Sequence, residues 1–340
     1  MTTASYVLPL RWSTTAGAEL AELTEYLRWL SDRVEVVVVD GSPPPVFVQH
    51  VQAWSGFVRH VQPDPSLRFA NGKVNGVTTG VRLAAHERVV VADDDVRYDD
   101  ISLRRVLALL DDADLVRPQN YFAPMPWHAR WDSARSLLNR ALVADYPGTF
   151  ALRRSVFMAM NGYDGDVLFE NLELIRTVRA HGGREVRPVD VYVRRLPPTA
   201  AHFRGQRVRQ AYDDLAQPWR LVLWLSVWPA VVSAVLRRRP APVVAGTLAV
   251  VGLAALGRRR AGGSAVYPAD LPLWAPLWVL ERGTCAWLAL AARLRGGVRY
   301  GDARLKVAAH RQGRRSRPVT GSPAFRPPAA APARSARGTP

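Results

Sequence analysis

Cysteine and acidic side chains are the scarce features of this sequence. Cys285 is the single cysteine among 340 residues, so an intrachain disulfide and a cysteine metal cluster are both excluded. Acidic residues are nearly missing from residues 220–340, which hold three Asp and Glu against 20 Lys and Arg. Residues 1–219 hold 26 of each sign, so the whole net charge of +17 lies in the C-terminal third.

The location of this basic excess indicates which partner it serves. The same third contains long apolar runs, and a basic, apolar segment is typical of contact with an anionic membrane surface rather than a nucleic-acid groove. A membrane is therefore an expected partner and nucleic acid is not. The N-terminal MTTASYVLPLRW has no basic start followed by a long apolar core, so no secretory signal is predicted.

Short apolar runs alternate with helical patterns over the first half of the chain. This alternation predicts an α/β fold with a mostly parallel, Rossmann-like sheet. Apart from Glu35, residues 34–39 are continuously apolar and β-branched, so their strand is expected at the centre of the sheet with helices on both faces. The other strands are expected at 5–10, 88–95 and 186–196, and the helices at 18–31, 74–86, 101–113, 132–143 and 171–181.

Three apolar runs follow Pro218, at residues 221–236, 241–257 and 271–294. The first two are close to the lower limit of about 17 residues for a membrane-spanning helix. A hairpin across the membrane and a position in the interface both stay open. The third run contains Glu281-Arg282, a costly pair at mid-bilayer unless it is buried against protein, and two half-segments on the membrane surface are the expected arrangement.

Arginine triplets at 237–239 and 258–260 flank the second apolar run, so the positive-inside rule does not orient it. The predicted organisation has three parts. These are a catalytic domain at 1–215, membrane-spanning or interfacial helices at 216–310, and a disordered basic tail, rich in Pro, Ala and Arg, at 311–340.

Two of the predicted strands end in acids, Asp40 after VEVVVV and Asp93-Asp94-Asp95 after RVVVA. Ligands of open α/β sheets bind beyond the carboxyl ends of the strands, so these carboxylates are expected to face one crevice. Asp93 and Asp95 can present oxygens to a hard divalent cation, Mg or Mn, that also holds a diphosphate. For a lone D-x-D, a solvated acidic turn is the alternative.

The sequence around this turn resembles glycosyltransferase family 2, the inverting enzymes of the GT-A type fold, and in particular its membrane-associated glycolipid and polysaccharide synthases. Asp40 in VVVVDGS matches the strand-end aspartate that contacts the nucleotide base. Gly72-Lys73 and the following residues to Gly80 fit G-K-x-x-A-L-N-x-G, with Gly for Ala, Val for Leu and Thr for Asn. Lys73 is implied to lie near the diphosphate, and an exposed lysine at a helix start is the alternative. Asp93 and Asp95 match the D-x-D, with Asp95 as the more direct metal ligand.

The acceptor side of the resemblance is less complete. The run PGTFALRRSVFMAMNGYDGD is similar to the family's acceptor-side segment, with NGYD at 161–164 in place of GGFD. The family's catalytic base is an Asp, and this chain has Asn171 there, which cannot accept a proton. Glu170, the first choice, or Glu173 serves as the base instead, or the chain has lost activity.

The last motif, Q-x-x-R-W, is matched by Gln206 and Arg209, with Gln210 in place of Trp. The resemblance implies that Arg209 contacts the diphosphate, and Tyr212 or Trp219 is expected to replace the missing aromatic surface. An arginine cluster before a membrane segment also has an alternative explanation as a headgroup anchor.

The resemblance implies a metal-dependent, inverting hexosyltransferase-like enzyme. It would move a sugar from a nucleotide-sugar donor to a lipid-linked or polysaccharide acceptor at the cytoplasmic face of the cell membrane. A catalytically inactive, membrane-tethered nucleotide-sugar-binding protein is the alternative, because positions 171 and 210 both depart from the family pattern. A nucleotidyltransferase is disfavoured because YVLPLRW has no Gly-rich, basic loop.

Overall fold

The computed structural model describes residues 3–300 and 303–310, and the predicted disordered tail lies outside these residues. The large sheet is built from β1 (Ala4–Leu10), β2 (Glu35–Asp40), β3 (Arg59–Val61), β4 (Arg88–Ala92), β6 (Leu115–Val116), β8 (Thr149–Arg153) and β9 (Glu185–Val186). A small sheet contains β5 (Val96–Arg97), β7 (Gln119–Phe122) and β10 (Tyr192–Arg195), and a hairpin contains β11 (Val298–Tyr300) and β12 (Ala303–Leu305).

Eleven α-helices are found in the described residues. Those before the apolar runs are α1 (Gly17–Ser31), α2 (Pro44–Trp54), α3 (Gly72–Leu83), α4 (Asp100–Ala108), α5 (Trp127–Leu142), α6 (Arg154–Ala159), α7 (Glu170–Ala180) and α8 (Ala200–Tyr212). The apolar runs form α9 (Pro218–Leu236), α10 (Ala241–Arg259) and α11 (Ala275–Leu294).

The large sheet is mostly parallel, in the order β3-β2-β1-β4-β8-β6-β9, with β8 antiparallel to both of its neighbours. This confirms the α/β prediction. The expected central place of β2 is wrong, because it lies second from the edge, between β3 and β1. Its two faces are nevertheless buried in separate cores, with Val36 and Val38 in one and Val37 and Val39 in the other. A continuously apolar strand indicates that both of its faces are buried, but it does not indicate the position of the strand in the order of the sheet.

Helix α3 lies close to β1 because two of its residues have no side chain. A Cβ at Gly80 would lie 2.2 Å from Cγ1 of Val7, and one at Gly76 would lie 2.9 Å from Cβ of Pro9. The helix is capped by Asn71, whose side chain accepts a hydrogen bond from the backbone N–H of Lys73. The first turn of α3 is thereby held near the carboxyl end of β1, where the acidic strand ends also lie.

The C-terminal helices share a core with the N-terminal part of the chain through α5. Ala134 and Leu137 of α5 pack with Trp224 of α9, Ala254 of α10 and Trp278 of α11. The contact between α5 and α10 is very close, because a Cβ at Gly257 would lie 1.9 Å from the backbone oxygen of Leu137.

Helix α11 is continuous, and the expected break at Glu281-Arg282 is wrong. Glu281 accepts a hydrogen bond of 3.0 Å from Nε of Arg207, and Nε of Arg282 lies 2.8 Å from Asp214. Both charges are therefore paired with residues of the N-terminal part of the chain, so no break in the helix is needed to remove them from an apolar environment.

Helices α9 and α10 are long and apolar enough to cross a membrane, each with a mean hydropathy of 1.6 over its best window. Their shared turn projects from the molecule, since residues 235–249 are exposed throughout. Arg237, Arg238 and Arg239 lie at this apex. The other triplet is used differently, because Arg258 donates to the carbonyl oxygens of Tyr267 and Pro268, and Arg260 to that of Arg140.

Gly257→Ala is expected to loosen α10 from α5, because the new Cβ would meet the Leu137 oxygen. Overpacking typically costs about 1–3 kcal/mol, so thermal unfolding in detergent should occur at a lower temperature. Gly246→Ala is the matched control on the same helix, since a Cβ there meets nothing within 4 Å and Ala favours the helix by about 1 kcal/mol. Equal unfolding temperatures for the two variants would contradict this packing.

Candidate active site

A cleft of about 840 Å³ opens at the carboxyl ends of β1, β2 and β4. Six of the predicted site residues line it, namely Lys73, Asp93, Asp95, Glu170, Gln206 and Arg209. Asp40 and Glu173 do not. The fold thus brings together in one cavity side chains that are separated by more than 130 residues in the sequence.

Lys73 joins the two acidic sides of the cleft. Its Nζ lies 2.6 Å from Oδ1 of Asp93 and 2.9 Å from Oε1 of Glu170. Burial alone would lower the pKa of Lys73, but the charges of Asp93 and Glu170 outweigh this and raise the pKa above its usual range. Lys73 is therefore a fixed cation between the D-x-D turn and the start of α7.

Arg195, at the end of β10, forms an ion pair with Asp95. Its Nε lies 3.0 Å from both carboxylate oxygens of Asp95, and its Nη2 lies 2.6 Å from Oδ2. Asp93 is 3.6 Å from the same Nη2. Arg195 was not predicted as a site residue, because in the sequence it is only one of two arginines near the end of a predicted strand.

The carboxylates of this cluster outnumber its cations. Asp93, Asp95 and Glu170 face two positive side chains, Lys73 and Arg195. Gly148 leaves the space that the cluster occupies, because a Cβ there would lie 2.7 Å from Oδ2 of Asp93. Carboxylate oxygens with surplus negative charge fit a hard divalent cation such as Mg or Mn, and Asp93 and Asp95 are the residues that would hold it.

The middle residue of the D-x-D turn has a different role. Oδ2 of Asp94 accepts a hydrogen bond of 2.6 Å from the indole N–H of Trp12, which follows β1. The backbone oxygen of Asp94 accepts from Arg97 at 2.7 Å. These two hydrogen bonds hold the turn in place, while the carboxylates of Asp93 and Asp95 are directed to Lys73 and Arg195.

Asp40 is completely buried beside the cleft rather than in it. Its Oδ2 lies 2.7 Å from Nδ1 of His50 and 3.0 Å from Nε2 of His60, and its Oδ1 accepts from the N–H of Ser42. Burial alone would raise the pKa of the Asp40 carboxyl, but these hydrogen bonds hold it below its usual range. The predicted contact with a nucleotide base stays a prediction, while Val39 and Gly41 on either side do line the cleft.

The same three side chains form a compact ligand set. One ligand atom each of Asp40, His50 and His60 lies within 4.8 Å of the others, close enough to hold a metal ion. The contacts of 2.7 and 3.0 Å are, however, of hydrogen-bond length. The second ring nitrogens of both histidines are buried and find, among the described residues, no hydrogen-bond partner of the kind that a metal-bound imidazole normally has. We therefore describe the cluster as a hydrogen-bonded support for the end of β2.

The two candidate bases lie in different surroundings. Glu170 lines the cleft, whereas Glu173 is 2% exposed and accepts from the backbone N–H of His310 at 2.8 Å. Nδ1 of His310 lies 3.1 Å from the other carboxylate oxygen of Glu173. Asn171 lines the cleft and donates to the carbonyl oxygen of Pro147. The geometry therefore favours Glu170 as the carboxylate available to an acceptor.

The predicted replacements for the missing tryptophan do not reach the cleft. Tyr212 is fully buried and donates to the carbonyl oxygen of Lys306, and Trp219 is 65% exposed at the start of α9. Gln210 accepts from Arg207 at 2.9 Å. The aromatic rings that line the cleft belong instead to Tyr146, Phe169 and Tyr300, and the ring of Tyr300 lies 5.0 Å from the guanidinium of Arg209.

Tyr300 reaches the cleft because the chain returns to it after α11. Its hydroxyl donates to Asn71 at 2.9 Å, and the segment that follows is tied to the residues before α7. The backbone N–H groups of Leu168 and Phe169 donate to Val307 and Ala308 at 3.0 and 2.8 Å. No sequence motif predicted that the chain returns to the cleft here, since this segment follows the apolar runs. The NGYD run at 161–164 is not among the residues that line the cleft.

No protein-family model matches the sequence, and no curated protein matches it. Membership of family 2 therefore stays a prediction from the motifs. The solved structures to which the chain is similar include a mannosyltransferase from Pyrobaculum calidifontis in complex with GDP-Man and Mn2+. Its identity is 18%, its TM-score is 0.46, and the match covers 87% of this chain and 76% of that one.

Two further similar structures are a glucosyl-3-phosphoglycerate synthase and a mannosyl-3-phosphoglycerate synthase. The glucosyl enzyme from Mycobacterium tuberculosis, in complex with Mn2+, UDP and glucosyl-3-phosphoglycerate, has 16% identity, a TM-score of 0.42 and coverage of 61% and 78%. The mannosyl enzyme from Rubrobacter xylanophilus has 15% identity, a TM-score of 0.41 and coverage of 61% and 71%. All three TM-scores lie below 0.5, so the function of this chain has to be argued from its own residues.

Proposed function

We propose that this protein is an inverting glycosyltransferase that moves a sugar from a nucleotide-sugar donor to an acceptor at the membrane. The observation that carries the proposal is the cluster in which Lys73 joins Asp93 of the D-x-D turn to Glu170. It places groups suited to a diphosphate, to a divalent cation and to an acceptor hydroxyl in one cleft, in the order that the family 2 motifs imply.

The donor side consists of Lys73, Asp93 and Asp95. A divalent cation held by the two aspartates would neutralise the charge that develops on the departing nucleoside diphosphate. Lys73 adds a fixed positive charge next to it, and Arg209, which is exposed at the rim, can approach the same phosphates. Arg195 keeps Asp95 oriented.

The acceptor side depends on Glu170. Its carboxylate would take the proton of an acceptor hydroxyl while the hydroxyl oxygen forms a bond to the anomeric carbon. The bond from that carbon to the diphosphate oxygen breaks in the same step, on the opposite face, so the configuration is inverted. Lys73 connects this carboxylate to the donor side and orients it.

Asp95→Asn is expected to lower metal-dependent transfer by at least about a hundredfold, because a neutral amide binds a divalent cation less well than a carboxylate. Binding of a nucleoside diphosphate with Mn²⁺, measured by calorimetry, should weaken in parallel. Asp190→Asn, at an exposed ion pair with Arg105, is the control and should leave both values unchanged. Normal transfer by folded Asp95→Asn would refute the metal assignment.

Glu170→Gln is expected to lower kcat by about 10²–10⁴-fold with little change in nucleotide binding, because general-base catalysis typically contributes that much. Glu173→Gln is the matched control, since this side chain is occupied by His310. Its kcat should stay within a few-fold of the wild type. Unchanged turnover in both variants would remove a glutamate base from the mechanism.

A nucleotide-sugar-binding protein without catalysis is the second candidate, favoured by the amides at positions 171 and 210. In the cleft Asn171 donates to a backbone carbonyl, and Gln210 accepts from Arg207. Metal-dependent nucleotide binding with no product from any donor sugar would establish this candidate in place of the enzyme.

We further propose that the projecting turn between α9 and α10 attaches the protein to an anionic membrane surface, with the catalytic domain on the cytoplasmic side. Arg258 and Arg260 are occupied within the protein, whereas the exposed side chains of Arg237, Arg238 and Arg239 have no hydrogen-bond partner among the described residues. The ends of α9 and α10 that lie away from this turn pack on the catalytic part of the chain. If the hairpin spanned the bilayer, its apex would lie on the opposite face, and the positive-inside rule disfavours this for three arginines. An interfacial position is the consistent one.

Replacing Arg237, Arg238 and Arg239 together by Gln should weaken binding to vesicles that contain anionic lipid by about a hundredfold, since each arginine near such a surface contributes about 1 kcal/mol. Vesicle sedimentation at two salt concentrations measures this. Replacing three exposed arginines of the catalytic part, Arg59, Arg104 and Arg105, is the charge-matched control. Equal loss in both triple variants would contradict attachment through the apex.

A further inference from the structure

Three arginines line the cleft where it meets the C-terminal helices. Arg135 comes from α5, Arg220 from the first turn of α9 and Arg282 from the middle of α11. They belong to none of the motifs that resemble family 2, and the proposed donor and base residues do not use them. Two of the three are carried by helices of the C-terminal part.

The positive charge of Arg220 and Arg282 is only partly neutralised. Both approach the same buried carboxylate, Asp214, whose oxygens lie 3.3 Å from Nε of Arg220 and 2.8 Å from Nε of Arg282. Arg135 is paired separately, with Asp145 at 2.9 Å. Two guanidinium groups that share one carboxylate leave one positive charge in a site largely shielded from solvent.

Arg282 has unused hydrogen-bonding capacity. It is 4% exposed, lines the cleft, and its Nη1 is buried without a hydrogen-bond partner among the described residues. Burial lowers the pKa of Arg282, against the attraction of Asp214 and Asp213, and repulsion from Arg220 and Arg135 adds to the lowering. A buried guanidinium N–H without a partner is costly, and an anionic oxygen would remove that cost.

One further acid, Asp213, lines the cleft beside the arginines. Burial raises the pKa of its carboxyl well above the usual range, with the charges of Glu170 and Asp214 adding to the effect against Arg282. The site therefore favours the uncharged form of Asp213 more than solvent does.

We propose that Arg220 and Arg282, with Arg135 beside them, bind a phosphomonoester group carried by the acceptor. The inference rests on the proposed function and specifies the class of substrate that the acceptor side takes. Arginine is suited to this task, because its planar fork presents parallel N–H donors to phosphate oxygens.

The position of the cluster assigns it to the acceptor rather than to the donor. The proposed donor residues lie on α3 and directly after β4. Arg220 instead lies at the start of α9, which leads to the turn proposed to contact the membrane, and Arg282 lies on α11, which packs against α9. Arg220 follows the exposed Trp219, a residue type that favours the membrane interface. Two sources share this chemistry, namely the headgroup of a lipid monophosphate and a soluble phosphorylated acceptor.

Binding of matched probes to the full-length protein tests the proposal and separates the sources. The probes are a long-chain prenyl monophosphate and the corresponding prenol, both in phosphatidylcholine vesicles, and glycerol 3-phosphate with glycerol in solution. We expect at least a tenfold preference for the phosphorylated member of one pair. A preference within the vesicle pair identifies a lipid acceptor, and a preference within the soluble pair identifies a small one. Equal affinity within both pairs would overturn the proposal.

Variants then assign the preference to the cluster. Arg220→Gln and Arg282→Gln should each weaken binding of the preferred phosphate by at least tenfold and leave its alcohol unaffected, with Arg282→Lys in between because it keeps the charge but not the fork. Arg130→Gln, at an exposed ion pair with Asp270, is the control. If Arg282→Gln fails to fold, Arg220→Gln and Arg282→Lys carry the test. A preference that survives in all folded variants would also overturn the proposal.

Binding of a nucleoside diphosphate with Mn²⁺, measured on the same samples, keeps the two proposals apart. It should be unchanged in the Arg220 and Arg282 variants, because these residues are assigned to the acceptor. Loss of nucleotide binding in those variants would place the cluster on the donor side and refute the inference alone. Absence of nucleotide binding in the wild type would refute the proposed function, whatever the phosphate probes show.

Discussion

The neutralisation of clustered carboxylates is the constraint on which this structure depends. Asp93, Asp95 and Glu170 meet at the carboxyl edge of the sheet, where mutual repulsion would drive them apart without Lys73 and Arg195. The two cations come from α3 and β10, so these two elements and the turn at Asp93–Asp95 are held in one arrangement. The surplus of negative charge that remains is what suits the site to a divalent cation.

A second set of buried ion pairs connects this edge to the C-terminal helices. Arg207 of α8 contacts Asp132 of α5 at 2.9 Å and Glu281 of α11 at 3.0 Å. The helix that presents Gln206 and Arg209 to the cleft is thereby fixed both to α5 and to the C-terminal helix α11. Breaking one such pair would leave a buried charge without a partner.

Local features of the sequence predicted the fold class but only part of its elements. Apolar periodicity identified β1, β2, β4, α1, α3, α4, α5 and α7, whereas α2, β3, β6, β7, β8 and α6 were not predicted, and the strand expected at 186–196 is divided into β9 and β10. The acidic strand ends indicated where the cleft would form. Other errors concern relations between distant segments, such as the rank of β2 in the sheet. The expected break in α11 was wrong for the same reason, since Glu281 and Arg282 are neutralised by partners on α8 and in the turn that follows it.

The sequence by itself determined the residues proposed for the donor side, because Lys73, Asp93 and Asp95 lie in short motifs whose spacing is local. Only the tertiary structure decided those proposed for the acceptor side. It separated Glu170 from Glu173, and it brought Arg282 of α11 and Tyr300, which follows α11, into the cleft. Such contacts depend on how α5 packs against α10 and α11, and no local pattern of residues records that packing.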